Sequence, residues 1–131
     1  MWCGERMEKK RLLVVEDDAI QIQVLATRLK TDGYEVAIAR DAVQSISLAR
    51  KEKPDLVLLD IGLPGGDGYI VLQRLKALPH ALPVVAMSAR PAETERDKML
   101  QSGADDYFEK PVKYERLLER IKELIGATAT P

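Results

Sequence analysis

Acidic residues follow two apolar runs of the sequence at the point where each run ends. Glu16, Asp17 and Asp18 come directly after residues 12–15, and Asp60 comes directly after a second run of Leu and Val. Carboxylates that converge on one place repel one another, so such a site has raised pKa values or binds a cation that offsets the charge. Oxygen ligands without a Cys or His partner suit a hard ion of the magnesium type better than zinc. The sequence therefore predicts a divalent-cation site.

Two further polar residues occupy equivalent positions. Ser88 follows the apolar stretch that ends at Met87, and Lys110 follows the last strand-like stretch, residues 105–108. A metal ion, a lysine and a hydroxyl around a carboxylate can neutralise and orient three phosphoryl oxygens, which is most of what phosphoryl transfer requires of a protein. Under this interpretation Asp60 is the attacking nucleophile and forms an acyl phosphate.

The elements that must position these residues alternate along the chain between strand-like and helix-like stretches. This alternation is typical of repeated βαβ units, and strands that are apolar throughout are typical of a parallel sheet covered on both faces. We predict an α/β fold with a doubly wound, five-stranded parallel sheet flanked by five helices. The predicted strands are residues 11–15, 35–39, 55–59, 82–87 and 105–108. Their carboxyl ends meet at one edge of the sheet, where open α/β folds bind ligands.

The second and fifth predicted helices each carry an apolar stripe that should pack on the sheet. The stripes are Ala42, Val43, Ile46 and Ala49 in the second helix, and Leu117, Leu118, Ile121, Leu124 and Ile125 in the fifth. Asp41 is placed to cap the second helix. Gly33 and Gly103 fall where the first and fourth helices should end.

The composition limits the kind of protein this is. A chain of 131 residues with 46% hydrophobic and 31% charged residues suits one folded domain. The formal net charge of -1 provides no basic field, so we predict no direct binding to nucleic acid. The absence of a long apolar stretch or a signal-peptide pattern predicts a cytoplasmic protein with no membrane partner. The single cysteine, Cys3, excludes an intramolecular disulfide.

The ends of the sequence differ from its centre. We predict an N-terminal extension at residues 1–10, the folded domain at 11–126 and a small-residue tail at 127–131. On this view no output domain remains, and the protein acts by contact with others.

Four motifs together carry a family resemblance. They are Val-Val-Glu-Asp-Asp at 14–18, Leu-Leu-Asp-Ile-Gly-Leu-Pro at 58–64, Met-Ser-Ala at 87–89 and Asp-Asp-Tyr-Phe-Glu-Lys-Pro at 105–111. Any one of them is a weak signal, but four in this order and spacing are highly specific. Over residues 11–126 the chain resembles the receiver domain of two-component response regulators, in its stand-alone, CheY-like form. The resemblance implies a flavodoxin-like (βα)5 fold.

The resemblance also implies a reaction and a metal. Asp60 would accept a phosphoryl group from a phosphohistidine of a sensor histidine kinase or a histidine phosphotransfer protein, in a Mg²⁺-dependent step. Asp17 and Asp60 would bind Mg²⁺, Glu16 would act through a metal-bound water, and the backbone carbonyl of Gly62 would be a further ligand. Mn²⁺ could substitute for Mg²⁺. Asp18 would stay outside the inner shell and cap the first helix.

The remaining roles concern the phosphoryl group and the switch. Lys110 would pair with Asp60 before phosphorylation and with the phosphoryl group afterwards, and its bond to Pro111 would be cis. Ser88 would bond a phosphoryl oxygen, and the small Ala89 would keep the approach open. Tyr107 resembles a switch aromatic that turns inward when the hydroxyl of Ser88 moves toward the phosphate. The face formed by helix four, strand five and helix five would then engage an unknown protein target or continue a phosphorelay.

Other classes fit less well. An aspartyl-nucleophile hydrolase of the haloacid dehalogenase class would need an acid at position 62, which is glycine, and the Gly-rich residues 62–68 lack the G-x-G-x-x-G spacing of a nucleotide-binding loop. The remaining alternative is a pseudo-receiver, a protein-binding module that does not depend on phosphorylation.

Two finer expectations come from alignment with the family. Arg96 and Arg116 fall where a transcription-factor-type dimer would pair a base with an acid, which weighs against such a dimer. Gly62 and Arg90 lie nearest to the path of water toward Asp60, and we expect autodephosphorylation. The protein is predicted to catalyse its own phosphorylation and its own dephosphorylation, and otherwise not to be an enzyme.

Overall fold

The computed structural model of this chain describes residues 9–63 and 68–126. The predictions for Cys3, for Pro64 and for the tail at 127–131 concern residues outside this part of the chain, as does most of the predicted N-terminal extension.

Within residues 9–63 and 68–126, five strands and five helices alternate, as predicted. The strands are β1 (Arg11–Val15), β2 (Glu35–Ala39), β3 (Leu56–Asp60), β4 (Val84–Ser88) and β5 (Asp106–Glu109). The helices are α1 (Ala19–Thr31), α2 (Ala42–Glu52), α3 (Gly68–Lys76), α4 (Ala92–Gln101) and α5 (Tyr114–Ile125).

The last three strands end one residue later than predicted, each on a polar residue. Asp60 pairs with Met87, and Ser88 pairs with Glu109. The ladder continues because backbone N–H and C=O groups pair whatever the side chain is, so apolar patterning alone misses the last residue. Asp60 and Ser88 therefore belong to the rigid sheet.

All strand pairs are parallel, and the sheet order is β2-β1-β3-β4-β5. Two buried clusters cover its two faces. One cluster contains Leu13 and Leu59 of the sheet together with Leu72 of α3 and Met99 of α4. The other contains Leu12, Val14 and Leu58 together with Leu29 of α1 and Leu117 of α5. Helices thus cover both faces, which confirms the predicted doubly wound fold.

The stripe predicted for α5 is confirmed, but that of α2 is wrong at one position. Val43 is 80% exposed, whereas Ser45 is fully buried and its hydroxyl donates to the carbonyl of Ala42 at 2.7 Å. Ser45 and Ala49 lie one turn apart and face the sheet, while Val43 lies about 200° around the helix from Ser45. Small side chains on the inner face let α2 approach the sheet closely.

The predicted helix ends are confirmed. The carboxylates of Asp18 and Asp41 accept the backbone N–H of Gln21 at 2.9 Å and of Gln44 at 2.8 Å, which caps α1 and α2. Gly33 and Gly103 have φ values of 98° and 111°, in the left-handed region that favours glycine at helix ends.

One glycine controls the approach of α3 to the carboxyl edge of the sheet. A Cβ added at Gly68 would lie 2.3 Å from the carbonyl oxygen of Ile61, the residue after Asp60. Only glycine allows α3 to begin directly against this strand end. None of the helices in residues 9–63 and 68–126 has both the length and the apolar character needed to span a bilayer.

Candidate functional site

Three carboxylates meet at the carboxyl edge of the sheet. Glu16 directly follows β1, Asp17 follows Glu16, and Asp60 is the last residue of the neighbouring strand β3. One carboxylate oxygen from each lies within 4.8 Å of the others. Asp17 is exposed, whereas Glu16 and Asp60 are only 4% and 7% exposed, so two of the three charges lie in a poorly solvated environment.

Glu16 is held by hydrogen bonds on both of its carboxylate oxygens. Its Oε2 atom accepts the backbone N–H groups of Asp17 and Asp18, each at 3.2 Å, and its Oε1 atom accepts the Lys110 ammonium at 2.8 Å. Burial raises the pKa of Glu16, and the nearby carboxylate of Asp60 raises it further, against the opposing effect of Lys110. The negative charge of the three carboxylates therefore exceeds the single positive charge of Lys110.

Lys110 connects the carboxylates. Its Nζ atom lies 3.2 Å from Asp60 Oδ2 and 2.8 Å from Glu16 Oε1, and its side chain is only 19% exposed. Burial alone would lower the pKa of Lys110, but the bonds and charges of Glu16 and Asp60 outweigh it and raise the pKa. The lysine is thus charged and directed at the oxygens of Asp60.

A backbone hydrogen bond places Lys110 at the carboxyl edge of the sheet. Its N–H donates to the carbonyl of Ser88 at 2.8 Å, one step beyond the pairing of Ser88 with Glu109. The Lys110–Pro111 peptide bond is cis, as predicted.

Gln21 is a residue of the site that the sequence analysis did not predict. Its side-chain carbonyl accepts the Lys110 ammonium at 2.9 Å from the first turn of α1. The sequence feature that could have indicated Gln21 was its position three residues after the cap residue Asp18, which places it near the carboxyl edge of the sheet. Gln23, two residues later, offered the same chemistry, and only the rotation of α1 separates the two.

Ser88 and Ala89 lie across from the carboxylates, at the end of β4. Ser88 is buried, and its Oγ atom accepts the backbone N–H of Arg90 at 3.1 Å. Ala89 is exposed directly beyond it. Because Asp60 pairs with Met87, Ser88 lies one residue further along the adjacent strand, on the same edge as Asp60.

Gly62 lies open beside Asp60. Its N–H donates to Asp60 Oδ1 at 3.0 Å, which fixes one oxygen of the carboxylate. A Cβ at this position would meet Asp60 Oδ1 at 3.5 Å, an ordinary contact. The missing side chain therefore leaves space beside Oδ1 of Asp60, and the predicted role of the Gly62 carbonyl as a ligand stays a prediction.

Tyr107 is turned inward. It is 2% exposed, and its hydroxyl donates to the backbone carbonyl of Arg90 at 2.6 Å. Burial raises the pKa of Tyr107 against an opposing effect of the Ser88 side chain, and the nearby carboxylates of Glu95 and Glu109 also raise it. The side chain predicted as a switch thus contacts the loop that follows Ser88.

The two arginines singled out for a dimer interface have different surroundings. Arg96 of α4 pairs with Asp106 of its own chain at 2.7 Å and donates to the carbonyl of Tyr107 at 3.0 Å. Arg120 of α5 pairs with the other oxygen of Asp106, also at 2.7 Å. Arg116 is exposed in the same groove. The expectation about a dimer stays a prediction.

The acidic cluster fits a magnesium ion. Its three ligand atoms are carboxylate oxygens, the donors that hard divalent cations prefer, and they come from elements that the sheet holds in place. A divalent ion there would offset the charge that raises the pKa of Glu16.

The chain is similar to known proteins over most of its length. A family model described as "Response regulator receiver domain" matches residues 12–122. The chain belongs to this family. The receiver domain is similar over its whole fold to the CheY-like response regulator receiver domain protein from Methanospirillum hungatei JF-1, with a TM-score of 0.82 and 33% identity, covering 88% of this chain and 93% of that one.

A second structure bears on the metal. The receiver domain of sensor histidine kinase PA1611 from Pseudomonas aeruginosa PAO1, solved with a magnesium ion coordinated in the active site cleft, matches with a TM-score of 0.81 and 30% identity. The match covers 91% of this chain and 99% of that one.

Curated relatives are longer than this chain. Response regulator MprA of Mycobacterium sp. (strain KMS) is 38% identical over 119 residues, 91% of this chain and 52% of the relative. Transcriptional regulatory protein PrrA of Mycobacterium tuberculosis (strain ATCC 25618 / H37Rv) is 39% identical over 123 residues, 92% of this chain and 53% of the relative. This receiver domain thus spans about half the length of these relatives.

Proposed function

We propose that this receiver domain accepts a phosphoryl group on Asp60 from a phosphohistidine of a sensor histidine kinase or histidine phosphotransfer protein. The observation that carries the proposal is the contact of the charged Lys110 with Asp60, beside two further carboxylates suited to a divalent ion. An acceptor carboxylate, a fixed cation and a metal site together supply what in-line phosphoryl transfer needs.

The proposed transfer forms a bond between phosphorus and the Asp60 carboxylate. An oxygen of the Asp60 carboxylate forms a bond to phosphorus as the bond between phosphorus and the donor's imidazole nitrogen breaks, and the electron pair stays on that nitrogen, which can take up a proton. Lys110 then pairs with a phosphoryl oxygen, the hydroxyl of Ser88 donates to another, and the small Ala89 leaves room for it. Pro111 directs the chain away after Lys110.

Glu16, Asp17, Asp60 and the carbonyl of Gly62 would hold Mg²⁺, or Mn²⁺ in its place. The bound ion supplies neutralisation of the negative charge that gathers as phosphate meets carboxylate.

Ser88 and Tyr107 would transmit the change caused by phosphorylation. Movement of Ser88 toward the phosphoryl group alters its bond with Arg90, whose carbonyl receives the Tyr107 hydroxyl. Tyr107 lies on β5 between α4 and α5, so this face is where a protein target would detect the change. Water that reaches Asp60 past the open Gly62 would hydrolyse the acyl phosphate, and the domain would then dephosphorylate itself.

The wider setting is also a proposal. The partners are a phosphohistidine donor and a protein target, in the cytoplasm, without direct contact of this domain with nucleic acid or membrane. Residues 1–10 and 127–131 would be accessory to the domain at 11–126.

The test is the intact mass of the protein after incubation with acetyl phosphate, with and without Mg²⁺. The native chain should gain one phosphoryl group only with Mg²⁺, and Asp60→Asn should gain none. Asp97→Asn, which removes an exposed carboxylate on α4, is the matched control and should behave as the native chain. No gain in the native chain under either condition would instead support the phosphorylation-independent binding module.

A further inference from the structure

The ammonium group of Lys110 has an oxygen acceptor for each of its three N–H bonds. Its Nζ atom lies 2.8 Å from Glu16 Oε1, 3.2 Å from Asp60 Oδ2 and 2.9 Å from Gln21 Oε1. A lysine has three donors, so these contacts satisfy it completely. Two of the acceptors are carboxylates of the acidic cluster, and the third is a neutral amide oxygen from α1.

The position of Gln21 is fixed by the start of its helix. Its backbone N–H donates to the cap residue Asp18 at 2.9 Å, and its side chain lines a cavity of about 610 Å³ together with Glu16 and Lys110. Gln23 is exposed on the same helix, about 200° away around the helix axis. The rotation of α1 therefore turns one of the two glutamines toward the lysine.

The carboxylates have a second role that the glutamine does not share. In the proposed function Glu16 and Asp60 also serve a divalent ion, whose charge attracts their oxygens and repels the ammonium of Lys110. Gln21 carries no charge, and its amide oxygen is a weaker ligand for a divalent ion than a carboxylate oxygen. Its bond to Lys110 can persist when the other two weaken.

We propose that Gln21 is a positioning residue, which holds the Lys110 ammonium beside Asp60 while the carboxylates engage Mg²⁺. This inference rests on the proposed function and adds to it a residue on α1. Without this bond, Lys110 would turn toward solvent in the metal-loaded protein and would reach the incoming phosphoryl group less often.

Three variants test the inference. Gln21→Met keeps the length of the side chain and removes the acceptor, Gln21→Glu restores an oxygen there, and Gln23→Met makes the same change on the other side of α1. The first readout is the ¹⁵N-edited NMR signal of the Lys110 ammonium in unphosphorylated protein saturated with Mg²⁺, assigned with Lys110→Arg. The second is the initial rate of phosphorylation by acetyl phosphate.

We expect the ammonium signal in the native chain, in Gln21→Glu and in Gln23→Met, and its loss through solvent exchange in Gln21→Met. The phosphorylation rate of Gln21→Met should fall roughly three- to tenfold, the effect of a solvent-accessible hydrogen bond to a charged group. A signal and rate in Gln21→Met equal to those of Gln23→Met would overturn the inference. If the native chain takes up no phosphoryl group, the proposed function fails, and the signal alone still decides whether Gln21 holds Lys110.

Discussion

Ser88 and Tyr107 are linked through the backbone of a single residue. The N–H of Arg90 donates to Ser88 Oγ at 3.1 Å, and the carbonyl of Arg90 accepts the Tyr107 hydroxyl at 2.6 Å. A displacement of Ser88 therefore changes the position of the group that holds Tyr107, which gives the proposed switch a direct path from β4 to β5.

The hydroxyl of Tyr107 should contribute to stability. Tyr107→Phe removes the bond to the carbonyl of Arg90, so the free energy of unfolding should fall by about 0.5–1.5 kcal/mol. Urea denaturation measures the change. Arg90→Lys keeps the backbone carbonyl and a positive charge near Glu95, and it is the control, with an expected change within about 0.5 kcal/mol. Equal losses in the two variants would show that the hydroxyl bond is not responsible.

Metal binding should distinguish neighbouring aspartates. Asp17 belongs to the carboxylate cluster, whereas Asp18 caps α1. Titration calorimetry with Mg²⁺ should show that Asp17→Asn weakens the affinity by roughly tenfold or more. Asp18→Asn keeps a good cap residue and should change the affinity by no more than about twofold. A reversed order would place the metal elsewhere.

Two glycines beside Asp60 should respond differently to an added methyl group. In Gly68→Ala the Cβ would meet the Ile61 carbonyl at 2.3 Å, so α3 must shift, and we expect a loss of about 2–3 kcal/mol in unfolding free energy. In Gly62→Ala the new contact is 3.5 Å, and the change should stay within about 0.5 kcal/mol. Thermal and urea unfolding provide the comparison, and equal stability of the two variants would contradict the close approach of α3.

Alkaline pH should destabilise the fold through its buried tyrosines. Burial raises the pKa of Tyr114 above the ordinary value of 10.0, and its hydrogen bond to Asp32 raises it further. Above pH 10.0 the unfolded chain loses a proton that the folded chain keeps, so the free energy of unfolding falls as pH rises, by up to about 1.4 kcal/mol per pH unit for each such group.

Tyr114→Phe removes the titrating hydroxyl of Tyr114. Its unfolding free energy, measured by urea denaturation, should therefore fall less steeply above pH 10.0 than that of the native chain. Near neutral pH tyrosine is protonated in both states, so the slopes of the two chains should agree there. Equal slopes in the alkaline range would show that Tyr114 titrates normally.

The sequence predicted the main features of the site because strand order and strand ends carry them. Glu16, Asp60, Ser88 and Lys110 each lie at or just after the end of a strand, and a parallel sheet brings such ends to one edge whatever the details of packing. Their clustering could therefore be predicted, and so could the cis bond at Pro111 from the family resemblance.

Features that depend on helix rotation could not be predicted. Val43 was predicted on the buried side of α2 because an apolar pattern favours the larger hydrophobic residue, but in the structure Ser45 is buried and Val43 is exposed. Gln21 was missed because one turn of amphipathic helix does not define which of two glutamines faces Lys110. Only the packing of α1 settles that choice.

The shared carboxylate of Asp106 has a consequence for how a partner could distinguish two forms of this domain. Its two oxygens hold Arg96 of α4 and Arg120 of α5, so one carboxylate of β5 contacts both helices. If α4 tilts and Arg96 leaves, one oxygen of Asp106 loses its counterion and the guanidinium of Arg96 loses its acidic partner. A small rotation of α4 would then change the pattern of positive charge that a partner protein contacts.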